Sequence, residues 1–353
     1  MIGVMNPKAN PAYRSSTGDP ELDQKLQELV SQCCIDAERR YVYEIAVTAL
    51  GLGIDCAKRV DLKIANTALK EMRRAFKMFT PFRQARKVTV FGSARTEASR
   101  SDHSRAVEYG KRMADAGWMV VTGAGSGIMG AAHEGAGRNL SIGVNIKLPF
   151  EQTANETIRG DNKLMSFRYF FTRKLFLLKE SHAVTLFPGG FGTLDECFEV
   201  LTLLQTGKQT PMPVVMVESP DTGYFKELVR FIEERVLKNG LISEQDQSLY
   251  RIVKDPEQAC EEVLRFYRVY HSSRYVGKRL LIRLEREVRD DELASLNDRF
   301  SDILRSGAIA RTQPLPEDVG TDLHRPGRIE LDFNRKDFGR LRQLIDAIND
   351  LDS

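Results

Sequence analysis

From about residue 86 onward the chain alternates short apolar runs with longer amphipathic stretches. The runs VTVF (88–91), WMVV (118–121), SIGVNI (141–146), AVTLF (183–187) and PVVMV (213–217) are β-rich and almost continuously apolar. The stretches between them, at about 102–116, 127–139, 166–180 and 194–206, carry helical spacing, and further helices are expected at 224–239 and 256–270. Strands apolar on both faces, separated by helices, predict a parallel sheet covered on both sides. The predicted fold class is therefore α/β, a Rossmann-like doubly wound parallel sheet over residues 82–272.

The flanks differ in pattern. Residues 1–18 are polar and turn-rich, and Asp19-Pro20 then supplies a cap followed by proline at the first helical position. Leu22, Leu26, Leu29, Val30 and Cys33 follow on one helical face. Helical stretches at about 36–50 and 61–79 come next, so residues 1–81 read as an arm and a helical layer. Beyond residue 277 the order is a strand in GKRLLIRL, a helix in DDELASLNDRFSDILRS, a strand in RIELDF and a helix in KDFGRLRQLIDAIND. Residues 277–353 thus predict a small α+β appendage of βαβα type, its mixed charges forming a solvated face.

Composition narrows the function classes. A hydrophobic fraction of 42% and a charged fraction of 29% are those of an ordinary globular protein. The net charge of +3, from 52 basic and 49 acidic residues, gives no reason to expect a nucleic-acid partner. No apolar run approaches the ~18 residues of a membrane span, and the N-terminus lacks the basic start and apolar core of a signal peptide. A cytoplasmic protein without a membrane partner is expected. The five cysteines show no C-x-x-C spacing and read as reduced thiols. The five histidines form no H-E-x-x-H cluster, and His133-Glu134 reads as a helix surface, so no metal is expected.

The candidate chemistry is concentrated in two glycine-rich turns. The first, WMVVTGAGSGIMGAAHEGAG (118–137), contains Gly125-x-Gly127-x-x-Gly130. Dinucleotide binding also needs an acid at the end of the next strand, which here ends Asn145-Ile146-Lys147-Leu148-Pro149. This loop therefore reads as a phosphate-binding or merely tight turn, and there is no Walker A motif.

The second turn is FPGGFGTLDE (187–196). Its glycines let backbone amides approach an anion, and a helix N-terminus adds partial positive charge. A phosphate there would meet the amides of Gly190, Gly192 and Thr193 and the threonine hydroxyl. Two readings of Glu196 stand side by side. Thr193-Leu194-Asp195-Glu196 fits a capping box, with Thr193 as the cap and Glu196 turned back to its N–H. Alternatively Glu196 is a reacting acid. The stretch LMSFRYFFTRKLFLLKE (164–180) bears on the choice, because it is apolar nearly all round and should be largely buried. Arg173 and Lys174 lie inside it. A buried guanidinium needs a partner: an ordinary ion pair, or a phosphate with Glu196 at the glycine turn.

Arg173-Lys174, followed after a strand by P-G-G-x-G-T-x-x-E at 188–196, resembles the Lonely Guy (LOG) family of cytokinin-activating phosphoribohydrolases. FGSAR (91–95), TGAGSGIMG (122–130), LPFEQ (148–152) and ECFEVLTLLQTGK (196–208) share the likeness, which covers about 86–240. The resemblance implies hydrolysis of the N-glycosidic bond of a nucleoside 5′-monophosphate, a purine or cytokinin nucleotide, to free base and ribose 5-phosphate. It implies no cofactor, and at least a homodimer with the site near the interface. By the same resemblance Arg173 and Glu196 are the catalytic pair, with Arg173 keeping Glu196 ionised. Lys174, Gly189, Gly190, Gly192 and Thr193 would hold the nucleotide, Glu151 would contact ribose or base, and Ser93 would help with phosphate. The helical layer and the appendage lie outside the minimal family domain.

Two other readings belong beside it. Molybdenum-cofactor carriers share the sheet and glycine turns and bind without turnover. Proteins of this look have also been labelled lysine decarboxylases, for which pyridoxal phosphate would need a Schiff-base lysine. Ser181-His182-Ala183 lacks the S-x-H-K stretch that would support that label.

Overall fold

The computed structural model of the chain describes residues 15–33, 38–55, 58–149, 153–314 and 325–351. Its internal contacts divide it into two units, Met1–Arg73 and Arg74–Ser353. The first contains helices α1 (Pro20–Gln32) and α2 (Arg39–Ile54) and most of α3 (Arg59–Phe79). α1 starts where Asp19-Pro20 places it. The Asp19 carboxylate accepts from the N–H groups of Glu21 at 2.9 Å and Leu22 at 3.3 Å. Val30, Tyr43 and Val47, with Leu26 beside them, form a small core between α1 and α2.

The second unit is built on a seven-stranded parallel sheet of β1 (Lys87–Phe91), β2 (Met119–Thr122), β3 (Ser141–Ile146), β4 (Leu164–Phe167), β5 (Ala183–Leu186), β6 (Val214–Val217) and β7 (Arg251–Val253). Helices α4 (Ser101–Asp115), α5 (Ile128–Leu140), α6 (Phe170–Lys179), α7 (Phe191–Gln205), α8 (Tyr224–Phe231) and α9 (Pro256–Phe266) connect them. The strand order is β4-β3-β2-β1-β5-β6-β7. The chain winds outward from β1 to β4, then returns to place β5 on the other side of β1. That reversal opens a crevice beyond the carboxyl ends of β1 and β5, where open α/β sheets bind ligands. The expected doubly wound sheet is present.

One helical layer is held unusually close to its neighbour. A β-carbon on Gly135 of α5 would stand 1.9 Å from the Val107 carbonyl oxygen of α4, and one on Gly110 would stand 2.2 Å from the Ala132 oxygen. The two helices touch backbone to backbone. This contact seats α5, and with it the glycine loop before it, against the sheet core of Val88, Val90 and Val120.

The structure adds β7 at one edge of the sheet, where no strand was expected, and corrects the expected layout in two further places. Residues 164–167 form β4 rather than part of a helix, and α6 is confined to Phe170–Lys179. A four-residue strand leading into an apolar helix leaves no periodicity of its own. α6 is also not buried all round, since Phe170, Phe171 and Leu175 are exposed.

The expected βαβα appendage is instead a four-stranded antiparallel sheet, ordered β10-β11-β9-β8. Its elements are β8 (Tyr270–Val276), β9 (Arg279–Leu284), α10 (Asp290–Phe300), β10 (Leu304–Arg311), β11 (Gly327–Phe333) and α11 (Phe338–Asn349). The two strands without a sequence pattern, YHSSRYV and LRSGAIAR, are the edges, whose polar residues blur the alternation. Leu280, Ile282, Ile329 and Leu331 pack on Leu341, Leu344 and Ile348. The Asn349 side chain accepts from the N–H groups of Val269 and Tyr270 at 2.9 Å and donates to Phe266 O at 2.6 Å. These bonds join α11 to the end of α9. Among the described residues no helix is long and apolar enough to cross a membrane.

Gly135→Ala should force α4 and α5 apart, costing about 1–3 kcal/mol by overpacking. Thermal melting of the variant should show a Tm lower by several degrees, and an unchanged Tm would contradict the close helix contact.

Candidate active site

Three turns are bonded together over the crevice. The Ser93 N–H, just past β1, donates to Pro188 O at 3.1 Å, just past β5. The Ile128 N–H at the start of α5 donates to Ser93 O at 3.0 Å, and the Ser126 hydroxyl donates to Ala94 O at 2.8 Å. Gly127 sits at φ +61°, and a β-carbon there would lie 2.3 Å from Ser93 O. Only glycine fits.

The glycines of FPGGFGTLDE divide into two kinds. A β-carbon on Gly189 would stand 2.1 Å from Thr193 Oγ1 and 3.0 Å from Ser93 N, so this glycine is demanded by packing. At Gly190 and Gly192 nothing lies within 4 Å of such a carbon. Those two leave their amides open to a ligand.

α7 begins earlier than the T-x-x-E spacing predicts. Gly190 is its cap, in extended backbone (φ −84°, ψ −160°), and the N–H groups of Thr193 and Leu194 donate to Gly190 O at 3.0 and 3.2 Å. Thr193 is therefore inside the first turn, and its N–H is already taken by Gly190. The capping-box reading of Glu196 fails. Thr193 is instead buried against Gly189, and Glu196 projects from the second turn.

The space enclosed is a cavity of about 720 Å³. The FGSAR turn, the glycine turn with the start of α7, Met129, Phe170, Arg173 and Tyr224 line it. Glu196 is only 4% exposed, and its Oε2 has no hydrogen-bond partner among the described residues. The same holds for the buried Nε of Arg173. The guanidinium lies over the first glycine loop, its Nη2 3.1 Å from where a β-carbon on Gly123 would stand. Among the described residues no carboxylate comes within ion-pair distance of it.

Burial sets the protonation of both groups. It pushes the Glu196 carboxyl up to about 7, against the pull of Lys174 and Arg173 and with some help from Glu199 and Asp195. It also holds the Arg173 guanidinium below its ordinary value, despite the attraction of Glu196. The expectation that Arg173 keeps Glu196 ionised is thereby corrected. Desolvation outweighs the arginine, and the carboxyl is poised near neutrality.

Lys174 is placed differently from the expectation that it holds a nucleotide. Its ammonium lies 2.8 Å from Asp195 Oδ2, 2.5 Å from Glu199 Oε2 and 3.7 Å from Glu196 Oε2. Burial works against this charge, but the bonds to Asp195 and Glu199 hold its pKa above the usual lysine value. Lys174 clamps α6 to α7 and positions Glu196 from outside the cavity lining. Glu151 lies outside the described residues. Ser93 lines the cavity, its hydroxyl accepting from the Arg95 N–H at 3.0 Å.

Arg173, Glu196, Ser93, Gly189, Gly190, Gly192 and Thr193 are thus brought together. Sequence reasoning missed Tyr224, whose hydroxyl donates to Gly189 O at 2.6 Å and braces the glycine turn. Nothing in DTGYF announces it. Arg95 and Met129 lie in motifs that were legible, without a role that could be read from spacing.

His133 is not a helix surface. It is fully buried, within 3.1 Å of Thr122 Oγ1 and Ile142 O and 3.2 Å of Asn155 Nδ2. Asn155 also donates to Gly125 O at 3.1 Å, so the pair pins the first glycine loop from beneath. Among the described residues no three His, Cys, Asp or Glu side chains group to hold a metal ion.

A family profile described as "Possible lysine decarboxylase" matches residues 127–263. Pyridoxal phosphate does not fit this cavity: among the described residues no lysine lines it, and the neighbouring Lys174 is held protonated among acids rather than free to form an imine. Among curated proteins, the chain is 32% identical over 164 residues to the probable cytokinin riboside 5′-monophosphate phosphoribohydrolase LOGL5 of Oryza sativa subsp. japonica, covering 45% of this chain and 63% of that one. It thus spans less than two thirds of that relative. It is 32% identical over 164 residues to the cytokinin riboside 5′-monophosphate phosphoribohydrolase LOG3 of Arabidopsis thaliana, covering 45% of this chain and 72% of that one.

Solved structures that overlap it include the molybdenum cofactor binding protein of Rippkaea orientalis, at 19% identity and a TM-score of 0.35, over 50% of this chain and 94% of that one. Another is the molybdenum cofactor carrier protein of Chlamydomonas reinhardtii, at 23% identity and a TM-score of 0.34, over 51% and 97%. The glycine turns, Arg173 and Glu196 and the identity to LOG3 agree, and the chain belongs to the LOG family of phosphoribohydrolase-like proteins.

Proposed function

We propose that the cavity hydrolyses the N-glycosidic bond of a nucleoside 5′-monophosphate, a purine or cytokinin nucleotide, to free base and ribose 5-phosphate. The observation that carries this reading is the pairing of two buried charges with unpartnered atoms, Glu196 and Arg173, beside amides left open at Gly190 and Gly192. The 5′-phosphate would take those amides and the positive end of α7. Ribose would then lie over the second turn of α7, where Glu196 projects.

Cleavage of the C1′–N bond sends its electron pair to the base nitrogen and leaves oxocarbenium character on the ribose. An ionised Glu196 stabilises that charge and takes a proton from the attacking water, whose oxygen bonds to C1′. The departing base takes a proton from solvent, and Glu196 gives the proton it took from water back to solvent, so the carboxylate is restored. Arg173, lying over Gly123, positions the substrate rather than exchanging protons. Lys174 does not reach the substrate; through Asp195 and Glu199 it holds the helix that carries Glu196 in place. A homodimer belongs to the same reading. Phe170, Phe171 and Leu175 of α6 and Phe198 of α7 are exposed, and Phe191, 93% exposed, stands at the cavity mouth. A second copy covering these side chains would close the cavity.

Ribose 5-phosphate release from AMP, GMP, CMP and an isopentenyladenine nucleotide tests the reaction. Glu196→Gln should lose about 100-fold or more of the rate while still binding AMP. Release that persists in the variant would remove Glu196 from the chemistry. AMP bound by wild type without release from any substrate would leave a carrier.

The glycine turn gives a second test. Gly190→Ala should melt as wild type does and bind AMP more weakly, whereas Gly189→Ala should melt several degrees lower. The reverse order, measured by thermal shift and calorimetry, would mean the amide cradle has been misplaced.

A further inference from the structure

A second cavity, of about 330 Å³, lies at the opposite ends of the same strands. Arg83 and Arg86 enter it from the segment before β1, and His182 from the residue before β5. His271 and Ser272 enter from β8 of the antiparallel sheet. Among the described residues no carboxylate lines it.

The donors there are fixed and in part unused. The Arg86 guanidinium carbon lies over the Tyr267 ring, 4.0 Å from its centre, and Nη2 donates to His271 O at 3.1 Å. Arg83 is exposed and pairs with no described residue. The N–H of Lys87 donates to His182 Nδ1 at 3.2 Å, so the imidazole proton sits on Nε2, which meets no acceptor among the described residues. Burial, with the charges of Arg86, Lys87 and His271, pushes His182 down to about 3, so it is a neutral donor at physiological pH. The fully buried Lys87 donates to Phe82 O and Ala85 O, both at 2.7 Å, and so shapes the loop that presents Arg83. Glu180, whose charge reaches Lys87, is turned onto Lys179 at 2.5 Å.

Two guanidinium groups, a neutral imidazole N–H and a hydroxyl around a polar hollow that has no acid among the described residues match an oxyanion with several acceptor oxygens. The volume exceeds that of a single phosphate. We infer that this cavity is a second ligand site, separate from the catalytic one, and that it binds a phosphate-class anion of about pyrophosphate size. Its walls are continuous with the first site. β1 and β5 begin here and end in the FGSAR and glycine turns. The Ser181 hydroxyl, which also lines the hollow, donates to Leu177 O at 2.6 Å near the end of α6, the helix that carries Arg173.

Calorimetric titration of the full chain with inorganic pyrophosphate tests the site independently of any hydrolytic activity. Two variants separate the cavities. Arg83→Glu reverses a charge on an exposed side chain of the second cavity. Gly190→Asp places a repelling carboxylate in open space at the glycine turn. Pyrophosphate should bind wild type and Gly190→Asp alike and bind Arg83→Glu at least tenfold more weakly. No binding to wild type, equal binding to Arg83→Glu, or loss confined to Gly190→Asp would each overturn the assignment.

Discussion

A carboxylate kept from water is the constraint on which the rest of the candidate site depends. Removing an ionised Glu196 from solvent costs several kcal/mol unless opposite charge and hydrogen bonds offset it, and its Oε2 finds no hydrogen bond among the described residues. The offset comes from two cations on one helix. Lys174 reaches across from α6 to Asp195, Glu196 and Glu199 of α7, and Arg173 acts through the cavity. Gly123 has to lack a side chain so that the guanidinium can lie where it does. An arrangement that leaves a buried acid near neutrality contributes little to stability, which is the usual mark of a site shaped for chemistry.

Topology decides where that acid can meet a substrate. Because β1 and β5 are parallel neighbours whose connections leave in opposite directions, both glycine-bearing turns open into one crevice. The bond from Ser93 N–H to Pro188 O locks the two turns together, and Tyr224 braces the second from the side. The same two strands begin beside a hollow lined by arginine and histidine. The central strands therefore join two cavities of different character, one with Glu196 in its lining and the other, among the described residues, without any acid.

Much of this was legible in the chain because it conflicts with ordinary folding preferences. A glycine-dense turn costs backbone entropy, and Arg173 within an apolar helix invites a reason for its charge. The parallel sheet followed from apolar runs at helix-length intervals. What could not be read was settled by local geometry or by contacts distant in sequence. T-x-x-E spacing fits a cap and a reacting acid equally well, and the extended backbone at Gly190 is what moves the helix start and frees Glu196. Lys174 sits beside Arg173 in sequence but points to a different set of partners. β4, β7, β8 and β10 escaped because short or polar edge strands carry no clean alternation, and Tyr224, the first residue of α8, reaches Gly189 across a separation in sequence that no local pattern marks.

The most direct test is the pH dependence of kcat/KM for ribose 5-phosphate release. Glu196 has to be ionised to stabilise an oxocarbenium ion, and burial raises its pKa to about 7. The rate should therefore rise with pH, bend near 7 and level off above it, about one unit higher than the second ionisation of a phosphate monoester near 6. A profile that bends at 6 or below, or a rate that falls as pH rises through 7, would contradict a buried carboxylate acting as the anion.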